Sequence, residues 1–137
     1  MLNMGWLVVC ETAIADAASN AISLINCLEE VESAQFPAVF PSLTIVAYLY
    51  GDGEGASAPK IKLQLVIRNP AGKELVLTEP TVGGDGRNQR IVCALRPLQL
   101  KNPGRYWFIL YELGDAGKTE RARIPVNVKL SSGARAK

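Results

Sequence analysis

Acidic residues set among glycines are the part of this sequence whose types and spacing suit the binding of a metal ion. They lie in four predicted loops, at residues 11–19, 51–59, 79–88 and 114–118. If consecutive strands run antiparallel throughout, all four loops lie at one end of the domain. Carboxylates that converge from adjacent loops are ligands that calcium prefers, so these loops form a candidate calcium site. The candidate metal ligands are Asp52, Glu54, Asp85 and Asp115.

The same residues have a simpler interpretation as the solvated tips of turns. Aspartate and glycine are both favoured in turns for their backbone geometry. Lys60, Arg87 and Lys118 lie near the acidic residues and would compete with a bound cation. A small-ligand or calcium-binding domain is therefore kept as the alternative function.

Histidine is absent from the chain, which excludes several classes of enzyme. Histidine is the usual general base near neutral pH and the commonest metal ligand. Without it, neither a Ser–His nor a Cys–His nucleophile can form. The cysteines are not paired at zinc spacing, and the glycine-rich segment 83–86 lacks the following lysine of a phosphate-binding loop. An enzyme would have to work with carboxylates, lysines or tyrosines alone, and such a carboxylate enzyme is the third alternative. We predict a protein that is not an enzyme and holds no cofactor.

The segment 103–111 predicts a turn followed by a strand with two apolar faces, because side chains alternate along a strand. One face carries Tyr106, Phe108 and Leu110, and the other carries Trp107, Ile109 and Tyr111. A strand with water on one side is apolar on one face only. The first face is predicted to belong to the core, and something must cover the second.

Two tyrosines of another predicted strand, at 43–50, extend this aromatic set. If the two strands share a sheet, their outer aromatic side chains form one exposed patch. Such patches commonly mark surfaces for a partner or for oligomerisation, and Tyr and Trp are enriched there. The alternative is internal cover by the loop at 31–42 or by the start of the chain. The interface candidates are Tyr48, Tyr50, Trp107, Ile109 and Tyr111.

Alternating apolar residues predict the strands that position these side chains. The strands are expected at 6–10 (short and buried), 43–50, 61–67, 74–78, 90–100, 105–112 and 121–130. Pro97 is expected to bend or end its strand, because proline cannot donate a ladder hydrogen bond. Short strands separated by Gly/Pro turns, with no clear long helix, indicate a β-sandwich or a barrel.

The segment 20–28 is ambiguous on its own residues. Ile22, Leu24, Asn26 and Leu28 alternate as in a strand. Ile14, Ala18, Ile22 and Ile25 also lie on one side of a helix, and alanine favours helix. Periodicity alone favours helix and strand about equally for this segment.

Length and composition exclude further classes of protein. The chain has 137 residues, which fit one domain, and a formal net charge of +2, which is too balanced for a nucleic-acid binder. Cys10, Cys27 and Cys93 each lie in an apolar run and are predicted to be buried small hydrophobes. Their odd number does not suit a disulfide framework. No secretion signal or membrane span is recognisable, so a cytoplasmic location is expected.

The order of these pieces resembles a family of short bacterial proteins defined as a domain of unknown function. The residues that carry the resemblance are Val9-Cys10-Glu11, the segment 20–26, the turn at 69–72, the segment 103–108 and a last valine-rich strand. The resemblance spans about residues 6–130. It implies an immunoglobulin-like β-sandwich and a strand at 20–28, but no activity and no site residues. Ser19-Asn20 replaces the Gly-Lys that is usual before the family's second strand.

The combined prediction is an all-β protein with a single antiparallel immunoglobulin-like β-sandwich of seven or eight strands. The sandwich is expected over residues 1–130, followed by a flexible C-terminal tail at 131–137. The predicted function is a non-enzymatic protein-binding or assembly module that acts through an outer aromatic sheet face. The expected partner is another protein or a second copy of the chain, with neither nucleic acid nor membrane involved.

Overall fold

The computed structural model describes residues 3–40, 42–51, 58–84 and 88–131. This described part contains twelve β-strands and no helix, so none of it could cross a membrane as a helix. The strands are β1 (Asn3–Ala15), β2 (Ile22–Cys27), β3 (Glu30–Ser33), β4 (Ala38–Phe40), β5 (Leu43–Tyr50), β6 (Ala58–Arg68), β7 (Glu74–Thr78), β8 (Thr81–Gly84), β9 (Gln89–Leu95), β10 (Leu98–Leu100), β11 (Gly104–Gly114) and β12 (Gly117–Leu130). The prediction of an all-β protein is confirmed.

Two large sheets contain ten of these strands. The first sheet has the order β2-β1-β5-β9. The second has the order β3-β12-β11-β6-β7, with β8 also paired to β6. The remaining two strands, β4 and β10, pair only with each other. All of these pairings are antiparallel except that of β3 with β12.

The hydrophobic core lies between the inner faces of the two large sheets. It receives Val9, Ile45 and Leu49 from the first sheet. From the second it receives, among others, Tyr106, Phe108 and Leu110, all of them buried as predicted. The phenol of Tyr106 donates a hydrogen bond to the backbone oxygen of Asn102 at 2.6 Å, which satisfies the one polar group that this face buries.

The described residues hold more strands than the seven or eight predicted. Eight strands have five or more residues, and the excess comes from the short strands β3, β4, β8 and β10. β4 and β8 lie in segments predicted to be loops. The predicted strand at 90–100 is two strands, because Pro97 ends β9 and the chain then leaves the first sheet as β10. Such short strands carry too few residues to show an alternating pattern.

The ambiguous segment is strand β2, which forms a hairpin with a β1 that is longer than predicted. Cα partners run from Cys10 and Cys27 to Ala15 and Ile22. The Asp16 carboxylate holds the connecting turn, since it accepts hydrogen bonds from the Ser19 amide at 2.8 Å and the Ser19 hydroxyl at 2.6 Å. These bonds lower the pKa of Asp16. The strand implied by the family resemblance is therefore confirmed.

The distal part of this hairpin, residues 11–26, folds back over the outer face of the first sheet. We call it the hairpin arm. The Thr44 hydroxyl, which points away from the core, donates to the backbone oxygen of Glu11 at 3.4 Å. The Arg90 guanidinium, also outward, donates to the backbone oxygen of Asn20 at 2.8 and 3.1 Å. Val46 also faces outward, between the positions of Thr44 and Arg90, and is 0% exposed. This burial agrees with cover by the arm.

The cysteines do not share the predicted burial. Cys10 is buried, Cys93 is half-buried and Cys27 is exposed, and all three are free thiols. The prediction is wrong for Cys27 because β2 is the edge strand of its sheet and leaves that side chain uncovered.

The end of the chain lies mostly beyond the described residues. Ser131 is the last described residue, and its amide donates to the backbone oxygen of Ser33 at 2.7 Å. The rest of the predicted flexible tail, 132–137, lies outside the described residues.

Candidate binding surface

The five aromatic and aliphatic interface candidates belong to two different sheets. Tyr48 and Tyr50 lie on β5 in the first sheet, whereas Trp107, Ile109 and Tyr111 lie on β11 in the second. Both sets face away from the core that separates the sheets. They therefore lie on opposite sides of the molecule and do not form the single patch that a shared sheet would have produced.

On the second sheet, cationic side chains cover the outer aromatic residues. Ile109 is 0% exposed and packs with Val66 of the neighbouring strand, and Tyr111 is also buried. The guanidinium carbons of Arg105 and Arg123 lie 5.7 and 5.1 Å from the centre of the Trp107 ring. The Lys118 ammonium lies 4.3 Å from the centre of the Tyr111 ring. Cations over aromatic faces are attracted by the ring quadrupole, and their aliphatic stems shield apolar surface.

A network of charged hydrogen bonds holds this cover in place. Glu74 Oε2 accepts from Arg68 Nη2 at 2.6 Å, from Arg68 Nε at 3.0 Å and from the Tyr111 hydroxyl at 2.9 Å. Glu74 Oε1 lies 3.4 Å from Lys118 Nζ. The hydrogen bonds from Arg68 are the main cause that lowers the pKa of Glu74. The second apolar face of β11 is thus covered by side chains of its own sheet, rather than by the loop at 31–42 or the start of the chain.

On the first sheet, three aromatic side chains stack into a ladder that remains partly exposed. The ring centres of Trp6 and Tyr48 are 5.7 Å apart, with 29° between the ring planes. Those of Tyr48 and Tyr50 are 6.3 Å apart, with 26° between the planes. Trp6 is 36% exposed and Tyr50 is 42% exposed. We call these three residues the aromatic ladder.

Gly5 makes the close approach within this ladder possible. The register of β1 against β5 shifts between Met4 and Trp6. A Cβ atom at Gly5 would lie 2.5 Å from Tyr48 Cδ2 and 2.9 Å from the Tyr48 backbone oxygen. Only a residue without a side chain therefore lets the Tyr48 ring lie against β1.

Trp6 is the member of the ladder that the sequence analysis missed. The prediction placed it in a short buried strand, whereas it is more than one-third exposed. Its alternation with the core residues Leu7 and Val9 was the available signal, since that alternation directs Trp6 to the outer face. The pairing of Trp6 with Tyr48 depends on the register of β1 with β5, which has no local sequence signature.

Polar groups border the ladder beside the tip of the hairpin arm. Asn20, Tyr48, Asn88, Gln89 and Arg90 line an open cleft of about 430 Å³. Arg90 also donates to the side-chain oxygen of Asn20 at 3.1 Å. An aromatic surface with hydrogen-bonding groups at its border can bury apolar area and orient what it binds.

Two other clefts lie elsewhere on the described part of the protein. An open groove of about 480 Å³ runs between β7 and β9 and is lined mainly by aliphatic side chains such as Val76, Val92 and Leu98. A second cleft of about 260 Å³ lies between the turn at 69–73 and β10. The first is lined by no aromatic side chain and the second by Tyr106 alone, so neither offers an aromatic stack.

The acidic candidates are only partly described. Asp52, Glu54 and Asp85 lie outside the described residues, and Asp115 is exposed in the turn between β11 and β12. The assumed topology does not hold, because β1 runs antiparallel to β5 and places Glu11 at the end of the sheet where β5 begins. Glu11 accepts a hydrogen bond from the Asn26 side chain at 2.6 Å. Within the described ranges, no group of three or more Asp, Glu or Cys residues is placed to hold a metal ion.

Comparison with known proteins shows the family. A model described as a family of unknown function, DUF6941, matches residues 5–129, so the chain belongs to that family. No curated protein matches the chain.

Proposed function

We propose that this member of the DUF6941 family is a non-enzymatic binding or assembly module that acts through the aromatic ladder of the first sheet. The observation that carries the proposal is the contrast between the two outer faces. Trp107 and Tyr111 are capped by cations of their own sheet, whereas Trp6 and Tyr50 remain exposed. Stacked Tyr and Trp side chains supply large rigid contact area, and these residue types dominate the energetics of protein interfaces.

The surroundings of the ladder fit a contact with another protein or with a second copy of the chain. Apolar side chains face outward next to the ladder on β1 and β9: Val8 is half-buried and Val92 is 49% exposed. Arg90 and Asn20 supply polar groups at the border. An apolar centre with a polar rim is the usual anatomy of a protein interface.

The absence of histidine supports the non-enzymatic part of the proposal. Two described carboxylates with lowered pKa values, Glu74 and Glu120, are held in ion pairs with arginines on the sheet surface. Paired, ionised carboxylates of this kind stabilise structure and are poor proton donors or acceptors near neutral pH.

We also propose that the fold is an immunoglobulin-like sandwich and that the protein acts in the bacterial cytoplasm. Two sheets with a shared core and eight strands of five or more residues support the first part. Three free thiols support a reducing compartment.

The ladder is tested by Trp6→Ser and Tyr50→Ser. The matched control is Val39→Ser, which changes a residue that is 57% exposed on β4, outside both large sheets. Light scattering of the wild-type protein should show association that increases with concentration, and each ladder variant should weaken it at least tenfold without a loss of fold.

Where the wild-type protein is a monomer, the same three variants are compared for capture of a host protein. Capture should be lost in both ladder variants and kept in the control. A monomer that captures nothing, or association that is unchanged in Trp6→Ser, would contradict the proposal.

A further inference from the structure

Cys10 of β1 and Cys27 of β2 face each other directly across the base of the hairpin arm. The Leu28 amide donates to the Val9 backbone oxygen at 2.8 Å, so the neighbouring pair is joined by hydrogen bonds. Hydrogen-bonded and non-hydrogen-bonded pairs alternate along antiparallel strands, which makes Cys10 and Cys27 a non-hydrogen-bonded pair. Side chains of such pairs are on the same face, with Cα atoms about 4.5 Å apart. That spacing is within the range of about 4.4–6.8 Å that a disulfide requires.

The two thiols have different environments. Cys27 is exposed on the edge strand, where a small oxidant can reach it. Cys10 is 0% exposed, and its Sγ donates to the Thr44 backbone oxygen at 3.5 Å. Burial, and then the neighbouring Cys27 thiol, raise the pKa of Cys10. The Cys27 sulfur is thus accessible to a solute, whereas the Cys10 thiol is shielded from solvent.

We propose that Cys10 and Cys27 form a redox-active thiol pair that a hydroperoxide converts into an intramolecular disulfide. This site is independent of the aromatic ladder. It differs from the three buried hydrophobes expected from sequence, because the pair is created by the register of β1 with β2. Cys93 lies on β9 with its side chain against the core and takes no part.

The reaction proceeds in two balanced steps. In the first, the Cys27 thiolate attacks the terminal oxygen of the hydroperoxide, the O–O bond breaks, and the alcohol leaves after taking up a proton. Cys27 is then a sulfenic acid. In the second, the Cys10 sulfur attacks the Cys27 sulfur, the S–O bond breaks, and hydroxide leaves as water with the Cys10 proton. The two thiols lose two electrons, and the hydroperoxide is reduced to an alcohol and water.

The disulfide would connect the two strands where the hairpin arm turns over the sheet. Glu11, the next residue after Cys10, accepts the hydrogen bond from Thr44 that marks this turn. Closing the loop between residues 10 and 27 removes conformational freedom from the unfolded chain. The oxidised protein should therefore have a higher Tm than the reduced protein.

The experiment treats the reduced full chain with a small molar excess of hydrogen peroxide, quenches it in acid, and alkylates the remaining thiols under denaturing conditions. Mass spectrometry should show the loss of two hydrogen atoms, a linked Cys10–Cys27 peptide pair, and one alkylated thiol at Cys93. Dithiothreitol should restore three alkylatable thiols. Cys93→Ser should form the same disulfide at the same rate.

Two variants identify the order of the steps. Cys10→Ser should trap the sulfenic acid on Cys27, detectable with a dimedone probe, whereas Cys27→Ser should leave Cys10 reduced. The proposal is overturned if the wild-type disulfide includes Cys93, if it forms only between two chains, or if Cys27 is overoxidised while Cys10 stays alkylatable. Comparison of Tm for the oxidised and reduced wild-type protein needs no variant, and an unchanged or lower Tm would contradict the connection at the base of the arm.

Discussion

At the scale of single residues, the two tryptophans show how neighbouring side chains decide the fate of an apolar group. Both lie on outward faces of strands. The guanidinium carbons of Arg105 and Arg123 lie 5.7 and 5.1 Å from the centre of the Trp107 ring, and Trp107 is half-buried. Trp6 stacks on Tyr48 and is left partly exposed. Long cationic side chains can therefore do the covering that a loop or a partner would otherwise do.

The network around Glu74 predicts a specific dependence of stability on pH. The pKa of Glu74 is lower in the folded protein than its ordinary value of 4.5, chiefly because Arg68 donates hydrogen bonds to it. The ionised Glu74 carboxylate therefore stabilises the folded protein above pH 4.5. This contribution to stability is lost as the pH falls through the lower pKa of the folded state. Glu74→Gln should lower stability at pH 7 by about 1 kcal/mol, and the difference from wild type should shrink on acidification.

Thermal unfolding measured from pH 7 down to about pH 3 checks this, since that range spans ordinary carboxylate titration. Glu30→Gln is the matched control, because Glu30 pairs with Lys129 at an exposed site where ion pairs contribute little. A Tm difference between Glu74→Gln and wild type that stays constant over this range would show that the carboxylate charge does not stabilise the fold.

At the scale of elements, the hairpin arm is the least expected feature. Sequence periodicity leaves its second strand open between helix and strand, and nothing local indicates that β1 and β2 turn back over their own sheet. The turn becomes visible only in contacts between distant residues, such as Arg90 with Asn20 and Thr44 with Glu11. These contacts stabilise the arm, and so does the burial of outward apolar side chains such as Val46 beneath it.

Removing the contact at the tip should loosen the arm. Arg90→Met keeps much of the side-chain length but removes the bonds to both oxygens of Asn20. Amide hydrogen exchange at residues 22–27 should rise about tenfold, as expected when a local opening becomes easier by about 1.4 kcal/mol. Arg96→Met, at an exposed position after β9, is the control and should leave this exchange unchanged. Equal protection of the arm in both variants would mean that Arg90 does not hold it.

Element prediction succeeded where a segment is long and its pairing repeats one pattern. Strands such as β5 and β11 place eight and eleven residues in regular alternation, so their inner and outer faces could be assigned from the sequence. β3 and β4 could not, because each is short and depends on a distant partner, β12 and β10 respectively. The energy that forms such strands comes from those partners rather than from local preference.

At the scale of the whole molecule, the two sheets differ in how their outer aromatic residues are covered. Cationic side chains of the second sheet cover Trp107 and Tyr111, whereas the ladder on the first sheet is partly exposed. A strand with two apolar faces therefore does not by itself mark a binding surface. The outer residues of the segment 103–111 are instead covered by side chains of their own sheet.

This difference in cover predicts opposite effects on stability and association when the two tryptophans are replaced. Trp107→Ser removes the ring on which Arg105 and Arg123 rest and opens the cover over the second sheet. It should lower stability by about 1–3 kcal/mol while leaving association unchanged. Trp6→Ser should weaken association while leaving the stability of the fold nearly unchanged. Denaturant unfolding and light scattering on both variants check the prediction, and a Trp107→Ser protein with wild-type stability but weakened association would contradict it.

The sequence by itself determined the all-β class, which side chains of the long strands face the core, and the lack of histidine for chemistry. These properties depend on side-chain alternation and residue type, which are local. The tertiary structure decided which sheet each aromatic strand joins, that Trp6 completes the ladder, and that Cys10 meets Cys27. Those outcomes depend on the pairing and register of strands that are distant along the chain. Backbone hydrogen bonds can form in many registers, and only the packing of the whole core selects one.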